Sequence, residues 1–172
     1  MLNFKQISLF FLALVSITFS NSKWEIHLGS GQYQQLKSWN NSIWVATQGG
    51  IFSFQPSSPD KTTQWSTQNG LGENNIIDLF VYNEKLIALS ELGIIHQMEP
   101  NASQFKIIHR AYKSGKYIPQ KAKSIIHNNY LILSFENQLS FFDLDSNRSI
   151  VNLEKIGNSQ LKNIRIQGLK II

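Results

Sequence analysis

Short apolar runs separated by polar turns are the dominant pattern along this chain. From Lys23 onward, runs of Ile, Val, Leu, Phe and Trp alternate with turns that contain Gly or Asn, and no apolar period of 3.6 residues is sustained. Strands joined by tight turns produce this pattern, whereas amphipathic helices do not. The sequence therefore predicts an all-β protein with almost no helix.

The apolar runs also repeat at a nearly constant interval. Residues 43–52 (IWVATQGGIF) align without a gap on residues 86–95 (LIALSELGII) at an offset of 43. A third copy begins at Leu131, at an offset of 44 or 45, and a fourth begins at residues 169–172. A repeat of about 40 to 50 residues that contains four short strands is the unit of a β-propeller blade.

Each repeat predicts four strands, the middle ones apolar throughout because neighbouring blades cover both faces. Gly50 and Gly93 fall in the turn between the second and third strands, where a positive φ suits glycine. A propeller ring needs about four to eight blades. We therefore predict a partial β-propeller of about three blades and the start of a fourth, with residues 23–172 as the N-terminal part of a longer propeller domain. The predicted strands are 33–39, 43–47, 51–54 and 63–66, then 76–82, 86–90, 93–98 and 105–109, then 122–127, 130–135, 138–143 and 149–154.

The first 22 residues have the pattern of a secretory signal peptide. Lys5 precedes an apolar run at residues 7–19, and small polar residues follow. A helix of that length is shorter than the ~30 Å hydrocarbon core of a membrane, which disfavours the alternative of a lasting membrane anchor. Ser20 and Ser22 predict cleavage before Lys23, with Thr18 and Ser20 as the alternative pair of small residues. We expect a mature protein that is extracytoplasmic, either periplasmic or associated with the cell surface and outer membrane.

Composition excludes several kinds of chemistry. The chain has no cysteine, so it forms no disulfide, uses no thiol in catalysis and carries no lipid on a cysteine. Lys and Arg number 16 against 11 Asp and Glu. This excess is too small and too dispersed for a dedicated nucleic-acid binder.

The candidate functional site is one basic segment, residues 106–123. It lies in a longer stretch, residues 100–135, that has no acidic residue, and His109, Tyr112 and Tyr117 are interspersed among its cations. Cations with aromatic neighbours can bind an anionic glycan or lipopolysaccharide phosphate. The alternative is a solvated loop, since lysine is usually exposed. The candidate anionic-ligand residues are Lys106, Arg110, Lys113, Lys116, Lys121 and Lys123.

No catalytic, cofactor or metal site is predicted. The four histidines lack the close spacing of metal motifs, and no Gly-x-Ser-x-Gly elbow occurs. Asp143 and Asp145 could suggest calcium ligands, but a turn that uses their side chains for local hydrogen bonds explains them better. The tryptophans predict blade packing, with Trp44 in the core. Trp39 is instead a candidate for a glycan-contacting rim, and we expect it to contribute less to stability than Trp44.

The repeat resembles that of two families of bacterial propellers. Residues 68–79, with their Asn-Gly-Leu turn, followed by 86–90 and 93–95, resemble the propeller repeat of two-component-regulator sensors, and residues 43–54 are similar to its second half. The third repeat departs from that pattern, because Asn137-Gln138 stands where the turn glycine is expected.

The whole mature chain resembles the N-terminal propeller of PorZ-like proteins. The resemblance rests on the signal peptide, residues 24–27 and 43–54, the turn at 69–71, a glycine-poor third blade and the Ile156-Gly157 step. PorZ-like proteins belong to the type IX secretion machinery of Bacteroidetes-type bacteria, where they help to attach anionic lipopolysaccharide to exported cargo at the cell surface.

This second resemblance implies a non-enzymatic binding or scaffold module without cofactors. Its partners would be other envelope or secretion proteins and an anionic lipopolysaccharide or glycan. The alternative is the periplasmic sensor propeller of a two-component regulator. A propeller lyase or glycosidase would need carboxylates or a His and Tyr pair at the central channel, and the sequence indicates none.

Overall fold

The regular structure of the chain is almost entirely antiparallel β-sheet. The computed structural model describes residues 31–111, 123–135, 138–153, 155–156 and 159–160. In these ranges the helical structure is limited to one 3-10 turn, Thr67–Asn69, between the first and second sheets. The predicted signal peptide, residues 24–27 and the predicted fourth copy at 169–172 lie outside the described residues.

Three four-stranded sheets follow one another along the chain, and within each sheet every strand pairs with its neighbour in sequence. A short hairpin, β13 (Lys155–Ile156) with β14 (Ser159–Gln160), comes after the third sheet. We call the sheets blades 1, 2 and 3. Blade 1 contains β1 (Tyr33–Trp39), β2 (Ser42–Thr47), β3 (Gly50–Gln55) and β4 (Ser58–Trp65); blade 2 contains β5 (Ile76–Tyr82), β6 (Lys85–Ser90), β7 (Ile94–Met98) and β8 (Lys106–Arg110); blade 3 contains β9 (Lys123–His127), β10 (Tyr130–Phe135), β11 (Gln138–Asp143) and β12 (Arg148–Leu153).

The predicted fold class is confirmed, and strand boundaries differ mainly at the outer edge of blade 1. There β4 begins at Ser58, five residues before the predicted start at 63. Residues 58–62 are polar and mostly exposed, because an outer strand has no neighbour on its free edge and needs no apolar alternation. The β13–β14 hairpin was not predicted.

The strand pairing also decides the offset of the third repeat. Lys85 opposes Tyr82 at the first turn of blade 2, and Tyr130 opposes His127 at the same place in blade 3. The offset between blades 2 and 3 is therefore 45 at this turn. These hairpin turns contain residues with positive φ, as the two-residue turns of twisted hairpins require: Asn40, Asn41, Asn83, Glu84 and Asn128.

Two apolar clusters hold the blades together. Successive side chains of β6 point to opposite faces, so Leu86 and Ala88 pack towards blade 1 while Ile87 and Leu89 pack towards blade 3. Both faces of blade 2 are therefore buried, as predicted. The cluster between blades 1 and 2 contains Trp39, Trp44, Ala46, Ile51, Leu71, Ile76, Leu79, Leu86, Ala88, Met98 and Phe105; the cluster between blades 2 and 3 contains Ile87, Leu89, Ile95, Leu131, Leu133, Phe142 and Leu144.

The predicted turn glycines have the expected backbone. Gly50 has a φ of 117° and Gly93 a φ of 74°. A Cβ on Gly50 would lie 2.2 Å from the backbone oxygen of Trp65, so the turn leaves no space for any side chain. Both glycines are thus explained by turn geometry.

Candidate functional site

The basic segment spans the boundary between blades 2 and 3. Lys106 and Arg110 are the first and last residues of β8, and Lys123 is the first residue of β9. All three are exposed. Lys113, Lys116 and Lys121 lie outside the described residues.

The described cations stand at two ends of the blades. At ~3.3 Å per residue, the Cα atoms of Lys106 and Arg110 are about 13 Å apart along β8. Arg110 ends the outer strand of blade 2 and Lys123 begins the first strand of blade 3, so these two residues flank the link between the blades at one end of the propeller. Lys106 lies at the opposite end. That these cations bind an anionic ligand stays a prediction.

His109, the aromatic neighbour of Arg110, packs between the blades. Its ring lies 4.8 Å from that of Phe142 in blade 3, measured between centroids. Burial lowers the pKa of His109 below the usual value of 6.5. This side chain therefore belongs to the contact between blades 2 and 3, while Arg110 beside it is exposed.

His96 in β7 is a fully buried histidine with both ring nitrogens engaged. Its Nε2 accepts a hydrogen bond of 2.8 Å from the backbone N–H of Gly72, so Nδ1 carries the proton and donates to the carbonyl oxygen of Ala88 at 3.2 Å. Burial, with a smaller effect from the charge of Arg110, lowers the pKa of His96 to about 4. The ring is neutral at physiological pH and ties the link after blade 1 to blade 2.

Acidification should weaken the fold through His96. Its pKa is 6.5 when unfolded and about 4 when folded, so the unfolded chain binds a proton first and stability falls as the pH drops from 6.5. We expect the free energy of unfolding to decrease by about 3 kcal/mol between pH 7 and pH 4 from this residue. His109 acts in the same direction.

The measurement is urea unfolding at pH 7, 5.5 and 4. The His96→Gln variant should be less stable at pH 7 but should lose much less stability on acidification than wild type. The raised pKa of Asp78 has the opposite effect, so Asp78→Asn is the second comparison. Equal pH dependence in wild type and His96→Gln would contradict the assignment.

Asp78 in β5 links two blades. Its Oδ2 accepts a hydrogen bond of 2.7 Å from the hydroxyl of Ser124 in β9, and its Oδ1 accepts one of 2.9 Å from the backbone N–H of Leu79. Burial raises the pKa of Asp78, although these hydrogen bonds and the charge of Lys37 act against that shift. Sequence reasoning missed this residue, and the only signal was a carboxylate inside an apolar strand.

Asp143 and Asp145 form the turn that follows β11. Oδ1 of Asp143 accepts from the backbone N–H of Asp145 at 2.9 Å, and its Oδ2 accepts from the hydroxyl of Ser146 at 2.9 Å. These bonds, led by that from Asp145, lower the pKa of Asp143. Oδ1 of Asp145 accepts from the hydroxyl of Tyr82 at 2.7 Å, which adds a contact between blades 2 and 3. This geometry agrees with the turn interpretation of the two carboxylates.

Trp39 is a core residue, so the prediction that it lines a glycan-contacting rim is wrong. Its side chain is 8% exposed, and its Nε1 donates a hydrogen bond of 2.8 Å to the carbonyl oxygen of Glu84 in blade 2. Its ring packs edge-on against Trp44, with centroids 5.3 Å apart. The last residue of β1 points towards the next blade, and the adjacent asparagines only form the turn. Trp44 is confirmed as core, at 5% exposed.

In the described ranges, no helix is both long and apolar enough to span a membrane. Within the same part of the chain, no three His, Asp or Glu side chains are grouped so that they could hold a metal ion.

Comparison with known proteins finds likeness in structure only. No family model matches the chain, and no curated protein has a significantly similar sequence. PorZ, described as an essential bacterial surface component of the type IX secretion system of Porphyromonas gingivalis, matches 77% of the chain with a TM-score of 0.63 at 15% identity. The described sheets are blades of the same kind. The fold is a partial β-propeller.

Two Bacteroides thetaiotaomicron proteins have similar folds. The extracellular domain of one, classed as a one-component system, matches 74% of the chain with a TM-score of 0.59 at 14% identity. The extracellular domain of the other, classed as a hybrid two-component system, matches 76% with a TM-score of 0.55 at 12% identity. The chain spans only 18%, 18% and 19% of the lengths of these three neighbours. Both resemblances stated from the sequence are confirmed at the level of the fold.

Proposed function

We propose that this chain is part of a non-enzymatic, extracytoplasmic propeller that acts as a PorZ-like surface scaffold of a type IX secretion machinery. The observation that carries the proposal is the likeness of the stacked blades to PorZ, over 77% of the chain. The signal-peptide pattern of residues 1–22 supports export from the cytoplasm. The partners of such a scaffold would be other envelope or secretion proteins.

Three of the described aspartates have structural contacts, which supports a binding role for them over catalysis. Asp78 is held by Ser124 and a backbone N–H, and Asp143 is occupied by its own turn. Asp145 accepts from Tyr82. A glycosidase needs a pair of carboxyl groups directed at the substrate, and these three serve strand and turn contacts instead.

An anionic lipopolysaccharide or glycan is the ligand that we assign to the end of the propeller bordered by Arg110 and Lys123. Both side chains are exposed and flank the same link, which contains further cations in sequence. Such a surface attracts polyanions through the summed field of its charges.

A sensor propeller is the second candidate function. It is favoured by the likeness to extracellular domains of the two B. thetaiotaomicron proteins and by the Asn-Gly-Leu turn at 69–71. In that role the propeller would bind a ligand outside the cytoplasm and pass the signal to a regulator.

Deleting the gene in the bacterium that encodes it separates the two functions. The scaffold role predicts that exported cargo is lost from the cell surface, with recovery when the gene is returned on a plasmid. The sensor role predicts normal cargo display and the loss of a transcriptional response that wild type shows. Normal cargo display in the deletion strain would refute the secretion role.

Charge reversal tests the ligand. We expect the variant Arg110→Glu with Lys123→Glu to bind purified anionic lipopolysaccharide about tenfold more weakly than wild type at low salt. The difference should shrink as ionic strength passes ~0.15 M, where the Debye length is ~8 Å. Lys106→Glu is the comparison variant, because that cation lies at the other end of β8. A ligand confined to the end bordered by Arg110 and Lys123 predicts little change, whereas an equal loss would show that Lys106 contacts the same ligand. Indistinguishable isotherms for all three proteins would leave the segment as a solvated loop.

A further inference from the structure

The chain has a single Asn-Gly pair, Asn69-Gly70, and it lies between blades 1 and 2. We call residues 66–75 the first link, since β4 ends at Trp65 and β5 begins at Ile76. A glycine after asparagine leaves its own backbone nitrogen without a side chain to shield it. Asn-Gly is therefore the pair most prone to deamidation in a flexible chain. The proposed function does not depend on this pair.

Deamidation needs no reactant from outside the chain except water. The backbone nitrogen of Gly70 attacks Cγ of Asn69, the C–N bond of the side-chain amide breaks, and the proton of the attacking nitrogen leaves with the amide nitrogen as ammonia. Water then opens the resulting five-membered imide at one of its two carbonyls. One product is aspartate. The other is isoaspartate, in which the main chain runs through the former side-chain carbonyl and is one atom longer.

The folded first link holds both reacting groups in other contacts. Oδ1 of Asn69 accepts a hydrogen bond of 3.1 Å from the backbone N–H of Ser66, which directs the amide back towards the start of the 3-10 turn. The carbonyl oxygen of Asn69 accepts one of 2.8 Å from the backbone N–H of Phe105, which fixes the peptide unit between Asn69 and Gly70. Attack on Cγ requires the amide to turn and this peptide unit to rotate. The reaction must therefore follow a local opening of the link.

We propose that Asn69 is a deamidation site that the folded first link protects, and that isoaspartate formed during an opening prevents the link from closing again. Gly70 packs so closely on Phe105 that a Cβ would lie 2.0 Å from the backbone oxygen of Phe105. A main chain longer by one atom does not fit this space. Aspartate at position 69 does fit, because its carboxylate still accepts from the N–H of Ser66. Isoaspartate is thus the product that damages the contact between blades 1 and 2.

Peptide mapping by mass spectrometry measures the reaction at pH 7, in buffer and in urea. We expect wild type to react at least about tenfold faster in urea, where the link is open. Ser66→Ala removes the hydroxyl that accepts from the backbone N–H of Gln68 at 3.3 Å. It should raise the rate in buffer about fivefold, the shift that loss of a typical N-cap causes, and leave the rate in urea unchanged. Thr67→Ala, at an exposed position of the same turn, is the matched control and should change neither rate.

Isoaspartate is told apart from aspartate by labelling with an isoaspartyl methyltransferase. After ageing in urea and return to buffer, molecules with isoaspartate at position 69 should unfold at a lower urea concentration than unmodified ones. The variant Asn69→Asp should unfold close to wild type.

Four results would overturn the proposal. Absence of reaction at Asn69 in urea would show that it is not a deamidation site. Equal rates in buffer and in urea would show that the folded link gives no protection. Equal rates in buffer for Ser66→Ala and Thr67→Ala would show that the cap of the 3-10 turn does not control the opening. An isoaspartate form as stable as wild type would show that the link accommodates the longer main chain.

Discussion

Replacing Gly70 with alanine is expected to destabilise the protein by at least about 4 kcal/mol, which is exceptional for one methyl group. Gly70 ends the 3-10 turn with a φ of 90°, a conformation that costs a residue with a Cβ about 1–2 kcal/mol. The added Cβ would also lie 2.0 Å from the backbone oxygen of Phe105. The backbone N–H of Phe105 donates to the carbonyl of Asn69 at 2.8 Å, so the two segments cannot separate without losing that bond.

Gly72 is the matched control, two residues further along the same link. A Cβ there would meet methyl groups of Ile107 and Ile94 and no backbone atom, and Gly72 has no positive φ. We expect Gly72→Ala to cost about 1–2 kcal/mol. Both variants are compared with wild type by urea denaturation. Similar midpoints for the two variants would show that the link at Gly70 is less rigid than its geometry indicates.

The Asn-Gly-Leu turn that carries the resemblance to sensor propellers is therefore a connector between blades. Ser66 and Asn69 cap the 3-10 turn reciprocally, Gly70 reverses the chain, and Leu71 is 4% exposed in the cluster between blades 1 and 2. Each residue of the motif has a structural role in this arrangement. The resemblance thus follows from how one blade is joined to the next, and it is informative about fold more than about ligand.

The repeat and the strands could be predicted because they depend on local patterns. Within each blade, the apolar runs and the turns between them, such as those at Gly50 and Gly93, follow one another directly in sequence. Such a local pattern is enough to indicate the strands of one blade. The contacts between blades could not be predicted in this way. Asp78 meets Ser124, and Tyr82 meets Asp145, across separations of 46 and 63 residues. Nothing in the sequence near Asp78 indicates that a serine of the next blade will face it.

The prediction for Trp39 was wrong for the same reason, since its surroundings depend on a contact with the next blade. Its local sequence, a tryptophan before two asparagines, is what an exposed rim would also show. Whether Trp39 is buried depends on the position of the neighbouring blade, where its indole N–H donates to the carbonyl oxygen of Glu84. The basic segment illustrates the reverse case: six cations are close in sequence, but Lys106 and Arg110 lie at opposite ends of one strand.

Replacing Trp39 or Trp44 with alanine should destabilise the fold by about 3–5 kcal/mol in each case. Trp44 packs edge-on to Trp39 and Phe105 and is stacked on Trp65, with a centroid separation of 5.4 Å in the stacked pair. Trp39 adds a hydrogen bond to blade 2, and Trp44 donates to the carbonyl of Trp39 at 3.1 Å. The two losses should be similar in size because both rings fill the same cluster.

A double-mutant cycle measures how far the two rings depend on each other. Since they are in contact, the double variant should differ from the sum of the single losses by at least about 0.5 kcal/mol. Tyr33→Ala is the control, because Tyr33 is 77% exposed on the same strand as Trp39 and should change stability by less than about 0.5 kcal/mol. Trp39→Phe should retain most of the packing and lose the hydrogen bond to Glu84, at a cost of about 1–2 kcal/mol. If Trp39→Ala were as mild as Tyr33→Ala, Trp39 would lie at a solvent-facing rim, and the contact between blades 1 and 2 would have to be placed elsewhere.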